Sequence, residues 1–164
     1  MQRTAFTQVE VALTIFLVGL MGALSYYYIN STTMTRLQYQ STLQSHYNLI
    51  ESMVFQCKSL SNQFPKELSA SKYASNTLLT QLECNTSVPY PLNGGRNGFV
   101  PVPPTGFSAY RATETGSAFY VMTSADNNST QDNTFKKLIL NYTSQQATLE
   151  RNATSAIFKF YLSR

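Results

Sequence analysis

Phe6-Thr7-Gln8-Val9-Glu10-Val11-Ala12-Leu13-Thr14-Ile15-Phe16-Leu17-Val18-Gly19 opens the stretch whose reading decides the fold. From Val11 to Ile29, nineteen residues pass without a charge. That length matches the ~20 apolar residues a helix needs to cross a bilayer core. It exceeds the roughly 7–15-residue core of a cleaved signal peptide, and no small-residue cleavage site follows it. Tyr26, Tyr27 and Tyr28 end the run, as rings with one polar end suit a membrane–water interface. Arg3 before the run and Arg36 well past it favour a cytoplasmic N-terminus.

The helical pattern continues beyond this run. Leu43, Tyr47, Ile50, Val54 and Cys57 recur at spacings of 4, 3, 4 and 3, one apolar stripe on an α-helix. Leu49, Met53, Leu60 and Phe64 widen the stripe, and Gln44, Ser45, Asn48, Glu51, Ser52 and Lys58 lie opposite. No Pro or Gly occurs from Ala23 to Gln63. The expectation is one helix over about 6–60, about 80 Å long at 1.5 Å per residue. Its half over 6–29 is apolar all round and spans the membrane. Its half over 30–60 has one apolar face that needs a cover.

The rest of the chain must supply that cover. Residues 61–87 are polar with short apolar runs. Five of the six prolines fall within 88–106, together with Gly94, Gly95 and Gly98, so that segment reads as a loop. Phe107–Thr113 and Ala118–Ser124 flank a turn and read as a hairpin. Phe135, Leu138, Ile139 and Tyr142 share one face of a short helix. Gln146–Glu150 and Ser155–Leu162 form a second hairpin, in which Ala156, Phe158, Phe160 and Leu162 alternate with Ile157, Lys159 and Tyr161. The expected fold is α+β: a leader over 1–5, a long N-terminal helix, and a head over 61–164 built on an antiparallel sheet.

Composition narrows the function. Charged residues are only 12% of the 164 residues, and the net charge is +4. The basic residues are scattered, with no stripe of the kind that grips nucleic acid. Cys57 and Cys84 are the two cysteines and His46 is the single histidine, too few ligands for a zinc site. In an exported head the two cysteines read as a disulfide, against two reduced core thiols. No nucleophile–base–orienter set can be assembled around His46. The chain therefore reads as a protein without catalysis, metal or cofactor.

Phe6-Thr7-Gln8-Val9-Glu10 at the head of a long apolar helix resembles the N-terminal signature of type IV pilins and type II secretion pseudopilins. The close resemblance covers about residues 3–30. It implies cleavage between Ala5 and Phe6 by a prepilin peptidase, N-methylation, and assembly in which the new amine of Phe6 meets the Glu10 carboxylate of a neighbour. It also implies the family's lollipop fold, a long helix on an antiparallel sheet head. Partners would be like subunits and an inner-membrane assembly platform, with nucleic acid involved only if the fibre serves DNA uptake. The chain would sit in a bacterial inner membrane as a single-pass protein with a periplasmic head, and assemble into a periplasmic pseudopilus or a surface pilus. Ala5 replaces the usual Gly before the cut, Gln8 replaces an apolar residue, and Tyr27 stands where many major pilins have Pro. These departures favour a minor pilin or pseudopilin over a major subunit. The alternative is a signal-anchored sensor or binding domain that does not polymerise.

Two weaker patterns complete the reading. Asn85, Asn128 and Asn152 each open an Asn-x-Ser/Thr triplet with an acid two residues earlier, which resembles the extended bacterial N-glycosylation sequon. Asp126, Asn128, Thr130 and Asp132 are spaced by two like calcium-loop ligands, but the turn Gly and closing Glu are absent, so a solvated loop is expected.

Overall fold

The computed structural model describes residues 3–68, 72–94, 99–116 and 118–162; within the first helix it describes the side chains of 12–21 and from 35 onward. The chain divides into two compact units, 1–37 and 38–164. Helical backbone runs over α1, Arg3–Ser61. Asn62 stops it: at φ 56° it enters the left-handed region, and its N–H donates to Lys58 O at 2.7 Å. Asn tolerates that conformation better than most residues, and Pro65 follows where the helix cannot resume.

Two expectations are corrected here. The predicted pilin-like fold had a spanning half over 6–29 and an inner-membrane, single-pass placement. Among the described residues no helix is long and apolar enough to cross a membrane. The longest helical stretch with its side chains in place is Thr35–Ser61, about 27 residues. The helix of the folded body is therefore the amphipathic segment, and it meets two sheets where one was expected.

The first sheet is small. β1 (Lys66–Glu67), β3 (Leu82–Cys84) and β4 (Tyr90–Pro91) pair antiparallel in the order β1-β3-β4. The second holds β2 (Thr77–Leu78), β5 (Arg111–Thr115), β6 (Ala118–Asp126), β7 (Ala147–Arg151) and β8 (Ser155–Leu162), in the order β2-β5-β6-β8-β7. Both predicted hairpins are present, β5–β6 and β7–β8. They join through β6 and β8, registered from Phe119 opposite Leu162 to Asp126 opposite Ser155. The first hairpin begins four residues later than predicted, at Arg111, because Phe107 turns away to make ring contacts with Tyr39 and Phe135. α2 (Thr130–Leu138) fills the crossover.

The strict alternation of β6 and β8 puts Phe119, Val121, Phe158, Phe160 and Leu162 on one buried face. Leu43, Tyr47, Ile50, Val54 and Cys57 of the predicted stripe are buried, as are Met53 and Phe64, whereas Leu49 and Leu60, expected to widen it, are exposed. Tyr47 lies at its centre, with ring centroids 5.3 Å from Phe160 and 5.4 Å from Phe158. Phe64, just past the helix, stacks on Phe119 at 5.0 Å.

Cys57 and Cys84 form the predicted disulfide, with Cα atoms 5.4 Å apart. It ties the stripe of α1 to β3, both half-cystines being fully buried. Closing a loop over a separation of 27 residues is worth roughly 3–4 kcal/mol on the chain-entropy account. Reduction, or Cys57→Ser, is expected to lower unfolding free energy by about that amount, with Cys57→Ser/Cys84→Ser no worse than either single change; equilibrium denaturation checks this. The Tyr47 hydroxyl is buried without a hydrogen-bond partner among the described residues. Tyr47→Phe removes that desolvated group and keeps the ring, so it is expected to raise stability by about 1 kcal/mol in the same measurement.

Candidate functional site

The sequence pointed first to the N-terminus. Ala5, Phe6 and Glu10 lie on the helical backbone of α1, and their side chains fall outside the described residues. Close to them the side chains are described again over 12–21. Leu13, Ile15, Phe16, Leu17, Val18, Leu20 and Met21 are all exposed, by 44–68%. Four consecutive apolar residues, Ile15 to Val18, cover every side of a helix that turns once in 3.6 residues. In the unit 38–164, Leu49, Phe55 and Leu60 on α1 are exposed as well. Apolar surface on this scale marks a contact site in a folded chain.

The three sequon asparagines are exposed in turns. Two lie at one end of the larger sheet. Asn127 donates through Nδ2 to Asn152 O at 2.6 Å, and its N–H donates to Thr154 O, so the turns carrying Asn128 and Asn152 are tied together. Asn152 Oδ1 accepts from the Ser155 and Thr154 amides and shapes the β7–β8 turn. Asn85 follows Cys84 between β3 and β4. The structure brings two of the three sequons together and leaves the third apart.

Of the four residues spaced by two, Asp126, Asn128 and Thr130 are exposed as a solvated loop would have them, and Asp132 is not. Asp126 ends β6, and Asp132 is buried in the first turn of α2. Ser129 caps that helix by accepting from the Asp132 N–H, while Asp132 Oδ2 accepts from the Asn128 N–H at 3.2 Å. Asp132 also pairs with Lys136 and Arg151, each at 3.0 Å. Burial pushes the Asp132 carboxyl up; hydrogen bonds from Lys136, Arg151 and the Asn128 amide outweigh that and hold it below its usual range. Its oxygens are taken up in fastening α2 to β7. The signal that marks this residue in the sequence is the Ser129-x-x-Asp132 spacing of a helix start, not the calcium spacing.

His46, single and beside the stripe, meets the Tyr110 hydroxyl through Nδ1 at 2.9 Å. Burial pulls the imidazolium down and pushes the Tyr110 phenol up. Tyr110 is nearly fully covered, and the pair joins α1 to the chain entering β5. A cavity of about 330 Å³ beyond the end of α1 had no signal in the sequence. Its walls include Lys58, Asn62, Phe64, Lys66, Tyr73 and Glu114. Lys58 Nζ lies 4.7 Å from the centroid of the Phe64 ring, and Lys66 Nζ lies 5.7 Å from that of Tyr73.

The Asp132 network carries a pH-dependent share of the stability. A carboxyl whose folded pKa is depressed stabilises the fold at pH above its unfolded value and loses that share as pH falls through the folded value. Asp132→Asn is expected to cost about 2 kcal/mol at pH 7. That is below the usual cost of breaking a buried pair, because Lys136 and Arg151 stay about 40% exposed. The gap to the unmodified protein should close as pH drops below about 4; thermal unfolding at pH 7 and pH 3 reads both. No family model, curated protein or solved structure matches this chain.

Proposed function

We propose that this chain is a structural subunit, a minor pilin or pseudopilin, of a type IV pilus-like or secretion-type fibre, and that it works by assembly and not by catalysis. One observation supports this above the others: the all-round apolar surface of α1 over 12–21, exposed within its own chain. Burying seven such side chains against like helices is worth on the order of 10 kcal/mol before the costs of association. A helix apolar on every side needs cover on every side, and a bundle of neighbouring α1 helices supplies it.

In this reading prepilin peptidase cuts between Ala5 and Phe6. The freed amine of Phe6 then meets Glu10 of an adjacent subunit. Leu49, Phe55 and Leu60 extend the contact surface along the same helix. The unit 38–164, closed by its disulfide, holds its shape while the helix assembles.

Val18→Lys places a charge in the apolar run, at an exposed residue. It is expected to cut incorporation into fibres at least tenfold while leaving the melting temperature of the body unchanged. Mass spectrometry of assembled protein should find a chain that begins at Phe6. Fibres with Val18→Lys at the unmodified level, or with Met1 intact, would overturn the reading.

A further inference from the structure

Four lysines among the described residues are half-buried: Lys58, Lys66, Lys136 and Lys159. Removing part of an ammonium's water shell is costly unless a partner replaces it. Lys136 has Asp132 as that partner, and Lys159 has Glu150. Lys58 and Lys66 have no carboxylate within ion-pair distance among the described residues. Each lies over a ring instead: Lys58 Nζ is 4.7 Å from the Phe64 centroid, and Lys66 Nζ is 5.7 Å from that of Tyr73. A ring face steadies an ammonium but does not neutralise it.

These two lysines line the same cavity, and the local fold puts them there. Lys58 is in the last turn of α1, where a helix end favours a cation. Asn62, at φ 56°, reverses the chain, and Lys66 follows in β1. Lys66 bridges Tyr73, and the Glu114 N–H of β5 donates to Ala74 O at 2.8 Å, so three separate segments close the wall. Asn62 and Gln63 add side-chain amides, which carry further N–H donors. Glu114 supplies the one carboxylate of the lining. Two lysines against one glutamate leave that wall with a net charge of +1.

The lysines lie over the rings, so the wall presents charge and amide donors, not aromatic surface. Ammonium and amide N–H groups together suit an oxyanion, because hydrogen bonds to a charged acceptor are the strong ones. At about 330 Å³ the cavity is at the small end of ligand pockets. That size suits a small molecule. A polyanion such as nucleic acid needs a basic stripe running beyond the cavity, and the basic residues of this chain are scattered.

We infer that this cavity is a binding site for a small organic oxyanion, a carboxylate or a phosphate ester, held by Lys58 and Lys66 with the amides of Asn62 and Gln63. The site lies within the unit 38–164 and stands apart from the fibre reading above. The bound oxyanion supplies the two lysines with the counter-charge that Asp132 and Glu150 give the other half-buried pair.

Titration of the isotope-labelled full chain tests this. The probes are sodium acetate and sodium phosphate, with sodium chloride at matched ionic strength as the reference. Saturable amide shifts at Asn62, Gln63, Lys66 and Tyr73 are expected from an oxyanion and not from chloride. The probe that saturates at the lower concentration decides between carboxylate and phosphate. Lys58→Gln/Lys66→Gln should weaken binding at least tenfold, the loss expected when charged hydrogen-bond donors are removed. Lys58→Arg/Lys66→Arg keeps the charge and should retain most of the affinity. Lys137→Gln, at an exposed lysine of α2, should leave it unchanged. Shifts that chloride reproduces, or that survive Lys58→Gln/Lys66→Gln, would overturn the inference. So would an equal loss in Lys137→Gln, which would reduce the effect to net charge, or in the arginine pair, which would reduce it to packing.

Discussion

Everything in the folded body depends on the burial of one stripe of α1 against one face of the larger sheet. Leu43, Tyr47, Ile50, Val54 and Cys57 present a continuous ridge because 3- and 4-residue steps return to the same side of a helix. Phe119, Val121, Phe158, Phe160 and Leu162 meet it because 2-residue steps return to the same side of a strand. Neither surface is stable alone in water. Each large side chain fully buried contributes roughly 1.5–3 kcal/mol, so this contact outweighs any polar interaction in the molecule. The rings of Tyr47, Phe158 and Phe160 pack at 5.3–5.4 Å, within the range where aromatic pairs add to simple burial.

Polar groups refine this arrangement more than they drive it. With so few charges, the body relies on hydroxyls and amides at its turns: Asn62 ends α1, Ser129 opens α2, and Asn152 shapes the β7–β8 turn. Asp132 is the exception, a buried carboxylate surrounded by donors from α2, the preceding loop and β7. It fixes where the crossover helix sits on the sheet. The exposed pair Lys159–Glu150, on the strand face away from α1, contributes little by comparison.

Surfaces that the body does not need for folding carry the functional reading. The apolar run over 12–21 is exposed along its described length. Titratable groups contrast with this: Asp132, His46 and Tyr110 are each engaged inside the fold, and none faces a pocket with a nucleophile beside it.

Much was legible from residue spacing alone. The stripe of α1, the two hairpins, a short helix (read around 135–142 and found at Thr130–Leu138) and the Cys57–Cys84 bridge follow from local periodicity, turn chemistry and cysteine count, which act over a few residues. The setting of the apolar run was not legible: hydropathy reads nineteen uncharged residues as a span, while among the described residues no helix is long and apolar enough to cross a membrane. The division into two sheets was not legible, because β1, β2 and β4 are two residues long and exist only through partners distant in sequence. The β6–β8 pairing, the burial of Asp132 and the cavity beyond α1 likewise arise from residues far apart along the chain. The sequence by itself determined which faces are apolar and where the chain turns, since those are local properties. Only the tertiary structure decided which faces meet, because that choice is made by packing whole surfaces together.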